Sequence, residues 1–154
     1  MKYTTIFLFT MFSCLLSFCS SIKDGKTTIK QGVFGKVLWT QGNHMPSPDK
    51  PAPKNGIPAI RTIYIYSLTK LSQTEGQAPL FSKINTTLAA KVKTDKNGFY
   101  QCKLKPGSYS VFTLEDDGHY FANLFDGNGN IASFEVMANK VTTYDIRINY
   151  KAAY

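Results

Sequence analysis

Histidine and cysteine are scarce in this chain, with 2 and 3 among 154 residues. That removes the commonest metal chemistry, since no Cys/His spacing fits a zinc site. Long apolar runs are missing too, and none reaches the roughly 20 residues a membrane-spanning helix requires. After the N-terminus no stretch repeats apolar residues at a period of 3.6, so no long amphipathic helix is expected. The sequence holds no Gly-x-Ser-x-Gly elbow and no phosphate-binding glycine loop, the signatures that would point to an enzyme. Acidic residues are outnumbered, 10 against 18 lysines and arginines, for a formal net charge of +8. That balance favours anionic neighbours such as phospholipid head groups, acidic polysaccharide or acidic proteins. The lysines are scattered and the arginines unclustered, which argues against nucleic acid.

What is present begins with a leader. Lys2 precedes an apolar run over residues 6–18, the layout of a secretory signal peptide over 1–18. Leu16-Ser17-Phe18-Cys19-Ser20-Ser21 resembles a bacterial lipobox, in which the cysteine becomes the lipidated first residue of the mature chain. Phe18 departs from the small residue usual at that place. Ser13-Cys14 supplies the small residue but shortens the run, and ordinary cleavage after Ser21 is the plain alternative. The expectation is lipidation at Cys19, a tether over 19–30 and a domain over 31–150. It implies export and membrane attachment in a bacterial cell envelope through the lipid anchor. Only Cys102 then remains in the domain. It cannot close an internal disulfide and reads as a small buried apolar residue.

From Gln31 onward the apolar period is two. Val33, Gly35, Val37 and Trp39 share one strand face, and so do Ile63 and Ile65, with Tyr64 and Tyr66 on the reverse. Ala90 and Val92, then Tyr100, Cys102 and Leu104, then Tyr109, Val111 and Thr113, then Tyr144, Ile146 and Ile148 continue the pattern. Short alternating runs between turn signals predict an all-β, antiparallel sandwich of about seven strands. Residues 79–84 are expected to hold one helical turn. Asp95-Lys96-Asn97-Gly98 suits a type I turn closed by glycine at positive φ, and Lys105-Pro106-Gly107-Ser108 a type II turn. Both are expected to close tight hairpins.

These residues carry a family likeness. Thr94-Asp95-x-Asn97-Gly98-x-Tyr100, followed by Leu104-x-Pro106-Gly107-x-Tyr109-x-Val111, resembles the signature of carboxypeptidase regulatory-like domains. Gly32-Val33-x-Gly35-x-Val37 and Thr62-Ile63-x-Ile65 are similar to that family's first two strands. The resemblance implies a transthyretin-like Greek-key sandwich that is not catalytic and serves as a binding, folding or structural module. Two relatives of the fold perform chemistry. Transthyretin-like hydroxyisourate hydrolases end in Tyr-Arg-Gly-Ser and use several histidines, whereas this chain ends Lys151-Ala152-Ala153-Tyr154. Adhesin domains with a Lys–Asn crosslink would require Lys36 and Asn149 to meet in the interior, but Asn149 shares its face with Asp145 and Arg147.

The candidate site residues lie in loops. Asp126-Gly127-Asn128-Gly129-Asn130 spaces oxygens like a calcium loop but lacks the later glycine and glutamate, so it reads as a glycine-rich hairpin. Glu115-Asp116-Asp117-Gly118-His119 is an acidic turn followed by a histidine. With antiparallel strands this turn reaches the same end of the sandwich as the Pro-rich 41–60 loop. The expected contact surface is that end, with His44, Lys54, Asp116, Asp117 and His119 as binding residues and an envelope protein or anionic polysaccharide as partner. No cofactor and no metal are expected. The alternative is a minor metal-dependent or hydrolytic enzyme using His44, His119 and the nearby acids.

Overall fold

The computed structural model describes residues 27–44 and 56–153; residues 1–18, expected above to form a signal peptide, and Cys19 and Lys54 lie outside the described residues. The fold is all-β, a sandwich of two sheets. The first sheet is built on β1 (Gly32–Asn43). Along one edge of β1 run β7 (Phe99–Cys102) and β2 (Ile57–Pro58), both antiparallel to it. Along the other edge run β11 (Val141–Thr143) and β12 (Ile146–Ala153), both parallel to it. The second sheet has the order β4 (Thr74–Gln77), β5 (Leu80–Ile84), β9 (Tyr120–Phe121), β8 (Gly107–Leu114), β3 (Thr62–Ser67), β6 (Leu88–Lys93). β10 (Ser133–Val136) also pairs with β8.

Alternation fills the space between the sheets. Val33, Val37, Tyr100, Cys102, Ile146 and Ile148 from the first sheet face Ile63, Ile65, Val92 and Val111 from the second, and all are at most 8% exposed. At roughly 1.5–3 kcal/mol for each fully buried aliphatic or aromatic side chain, this layer is the main source of stability. The reverse face of the second sheet is also packed. Tyr66 meets Phe112 and Tyr120 edge-on, and Phe81 from β5 meets Phe112. The alternating tyrosines of β3 therefore cover a second aromatic layer, closed by the β4–β5 hairpin, and burial raises the Tyr66 hydroxyl pKa strongly.

Several expectations are corrected. Among the described residues twelve strands replace the expected seven or so, because β2, β4, β5 and β9 are additional and the last run divides into β11 and β12. The break between β11 and β12 lies where Tyr144 and Asp145 cross Gly35. A Cβ on Gly35 would sit 1.9 Å from the Tyr144 carbonyl oxygen, so only glycine admits the crossing. The Tyr100 hydroxyl donates to that carbonyl at 2.6 Å, and Asp145 Oδ1 accepts from the Lys36 amide at 2.8 Å. Residues 79–84 contain a strand, not a helical turn: β5 pairs with β4 and β9, which buries Phe81 completely. The one 3₁₀ turn among the described residues is Leu71–Gln73.

The two glycine turns do not close hairpins. β6 and β8 belong to the second sheet and β7 to the first, so each turn carries the chain across the sandwich. The first keeps its expected form, with Gly98 at φ +72° and its N–H donating to the Asp95 carbonyl at 3.0 Å. At the second, Gly107 has φ +154° rather than the type II value, and the Tyr109 hydroxyl ties the bend by donating to the Lys105 carbonyl at 3.0 Å. A chain crossing between sheets opens wider than a hairpin, and the tyrosine supplies the closing bond that a tight turn would make within its backbone.

Candidate functional site

Three turns share one hydrogen-bond pattern, at residues 95–99, 115–119 and 126–130. The first residue's N–H donates to the fifth residue's carbonyl, and the glycine at the fourth place donates back to the first residue's carbonyl. In two of them an aspartate at the first place caps the loop. Asp95 Oδ1 accepts from the amides of Asn97 and Phe99 at 2.8 and 2.9 Å. Asp126 Oδ1 accepts from those of Asn128 and Asn130, both at 2.9 Å. The Asn130 side chain adds a bond at 2.7 Å to the other Asp126 oxygen, and these donors hold the Asp126 carboxyl below the usual range. The oxygens that resembled a calcium loop organise their own turn.

The third turn breaks the pattern at its first residue. Glutamate is one methylene longer than aspartate, and the Glu115 carboxylate leaves the turn for the interior, where its side chain is 1% exposed. It accepts from Thr113 Oγ1 at 2.8 Å, from Arg61 Nε at 3.2 Å and from the Tyr150 hydroxyl at 3.2 Å. A buried carboxylate is tolerated only with a charge partner and further donors, and here it has both.

Arg61 connects this carboxylate to an aromatic group. Its guanidinium lies 5.3 Å from the Trp39 ring centre, Lys151 Nζ approaches the same ring to 5.8 Å, and Tyr150 meets Trp39 edge-on at 5.4 Å. Burial, then the Glu115 charge, pushes the Tyr150 hydroxyl up to about 12. Trp39 is half-buried. Ile57, its strand partner, is 66% exposed, and Ile60, whose carbonyl accepts from the Arg61 guanidinium, is 52% exposed.

This is the end of the sandwich where β1 and β12 finish, called the far end below. His44 is here, its N–H donating to the Ala153 carbonyl at 2.8 Å and its ring nitrogen 3.1 Å from the Gln41 carbonyl oxygen. Gly56, where the described chain resumes, packs against Trp39 and Thr40. The 115–119 turn joins the same end through Glu115 and Tyr150. Asp116 and Asp117 are exposed. Asp117 accepts from the His119 amide at 3.1 Å, which holds its carboxyl below the usual range. The His119 ring lies 3.2 Å from Asp117 but is not aligned to donate to it. Among the described residues no three His, Cys, Asp or Glu side chains gather into a metal-ligating group. Asn149, held by Asn123 at 2.8 Å, lies well along β12 from the Lys36 level of β1.

Sequence reasoning located this end through its loops and missed its centre, formed by Trp39, Arg61, Glu115, Tyr150 and Lys151. Two signals were available: Trp39 is the single tryptophan of the chain, and Glu115 stands where the sister turns have aspartate. No family model, curated protein or solved structure matches the chain.

Proposed function

We propose that this chain is a non-catalytic binding or structural module of a bacterial cell-envelope lipoprotein, built on a carboxypeptidase regulatory-like sandwich. It is anchored through Cys19 and takes its partner at the far end. The observation that carries this reading is the exposed Ile57 paired with the half-buried Trp39, whose ring has two cations close to it, with the exposed Ile60 next to Arg61 in the chain. Tryptophan, tyrosine and arginine are the residues that most often anchor a protein contact, and here Trp39, Tyr150 and Arg61 cluster beside exposed aliphatic surface. The polar groups around them are committed to one another, as suits a binding surface with no reacting group on offer.

Between the two partner classes the sequence left open, this end favours an envelope protein. Among the described residues this end sets Arg61, Lys93, Lys96 and Lys151 against Asp95, Glu115, Asp116 and Asp117, a balance that gives an acidic polysaccharide little net attraction. The test is site-specific photo-crosslinking in the native envelope. A crosslinker at Ile57 or Ile60 is expected to yield one discrete protein adduct, absent from Ser82. Ile57→Lys with Ile60→Lys is expected to abolish the adduct while leaving the melting temperature unchanged, since both side chains are exposed. Adducts that are absent, or equal at Ser82, would reject the far end as the contact, and retention of the chain on acidic polysaccharide would favour the other partner class.

A further inference from the structure

The opposite end of the sandwich, where the chain enters β1, has a different chemistry. Gln31 organises it. Its side chain donates to the Leu104 carbonyl at 2.8 Å and accepts from the Asn139 amide at 2.9 Å, which ties the entering chain to two loops. Each of the three segments brings lysine. Lys30 precedes Gln31, Lys103 and Lys105 flank Leu104, and Lys140 gives its carbonyl to the Gly32 amide at 3.1 Å. All four are exposed. Lys30, Lys103 and Lys105 line an open depression of about 530 Å³. Glu135, opposite Ser108, is the acidic residue of the adjoining strand. The far-end turns, by contrast, set Asp95, Glu115, Asp116 and Asp117 against about as many cations, so among the described residues the entry end has the excess of positive charge and the far end does not.

Exposed apolar side chains accompany the lysines. Met137 opens the turn that holds Lys140 and is 51% exposed. Leu68 and Leu88, where β3 ends and β6 begins, are 37% and 46% exposed. Lysines around scattered apolar side chains suit an interface of anionic head groups and acyl chains. The chain leading to this end fits the same orientation. Thr28 is fixed to Gln101 of β7, its amide donating to the Gln101 side chain at 2.9 Å. Nine residue steps back to Cys19 span at most about 32 Å.

We infer that this entry end is a second membrane contact, seating Lys30, Lys103, Lys105 and Lys140 on anionic lipid head groups and holding the far end away from the bilayer. The inference rests on the reading of Cys19 as the lipid attachment. A lipid chain alone does not fix which face of the domain meets the bilayer. A basic base adds an attraction that acts within a Debye length, about 10 Å at 0.1 M salt, and thereby fixes the orientation.

The experiment is amine footprinting of the mature, full-length exported protein in vesicles of phosphatidylcholine, with or without phosphatidylglycerol. On phosphatidylglycerol at low salt, acylation of Lys103, Lys105 and Lys140 is expected to slow roughly threefold or more, with full recovery at molar salt. Lys91 and Lys96 are expected to react equally in both. Lys103→Glu with Lys105→Glu, two exposed changes, is expected to abolish the slowing at Lys140. Uniform slowing at every lysine, or none, would overturn the inference, and so would protection that survives the double reversal. Cys19 attachment is read separately, from acyl mass on the mature N-terminus. A chain lacking that mass but keeping the lysine pattern would reject the anchor and still support the entry-end contact.

Discussion

Arg61→Met tests whether the far end is built around a buried charge pair. Methionine keeps an apolar stem beside Trp39 and removes the guanidinium. Glu115, with its side chain 1% exposed, is then left with only the hydroxyls of Thr113 and Tyr150. Removing one partner of a buried pair costs about 3–5 kcal/mol. The Arg61 side chain is 18% exposed, so water reaches part of the site and the lower figure applies. Loss of the cation from the Trp39 face adds about 0.5–1 kcal/mol. The sum is about 3–4 kcal/mol, or roughly 10 °C in melting temperature for a domain of this size. Urea and thermal melts at neutral pH measure it, and moderate salt should change the difference little, because a buried pair is poorly screened. Glu115→Gln in the same background should recover about 1–2 kcal/mol, since a neutral amide no longer needs a counter-charge while its oxygen still accepts from Thr113 or Tyr150. A cost under about 0.5 kcal/mol for Arg61→Met, or strict additivity in the double-mutant cycle, would mean that Glu115 is solvated and the reasoning wrong.

Gly98→Ala should cost about 3 kcal/mol or more, because φ is +72° and a Cβ would sit 2.5 Å from the Val37 carbonyl oxygen; a wild-type melting temperature would show that the cross-sheet turn lies elsewhere. Burial pushes the Tyr144 hydroxyl up to about 12, and Tyr150 reaches the same value. The folded state therefore holds protons that the unfolded chain has lost, and the urea midpoint should stay level up to about pH 9 and fall between about pH 10 and 12. Tyr144→Phe should flatten part of that fall, and an unchanged slope would contradict it. Radioactive fatty acid should label the wild-type chain and not Cys19→Ala, and equal labelling of the variant would move the attachment to Cys14.

The period-two alternation was enough to give an all-β chain and to name most inward residues, because a strand repeats its faces every two residues whatever it pairs with. Val33, Val37, Ile63, Ile65, Tyr100, Cys102, Ile146 and Ile148 are all buried as that period requires. Local turn chemistry was legible for the same reason. Asp95 and Gly98 act on amides within a few residues, so the sequence carries the whole interaction.

Partners distant in sequence were not legible. Whether Asp95 to Gly98 closes a hairpin or crosses between sheets depends on β1, more than fifty residues away, which pairs with β7. Residues 79–84 have no strong local preference, and pairing with β9 decided that they are extended. At the far end, the Glu115 carboxylate is 54 residues from Arg61 and 35 from Tyr150. In the sequence it is one acid in an acidic turn, and only the fold makes it a buried charge. The same holds at the entry end, where scattered lysines become one basic surface because Gln31 ties three segments together. Composition and period determined the kind of sheet, whereas long-range pairing decided which charges are buried and which gather at each end of the sandwich.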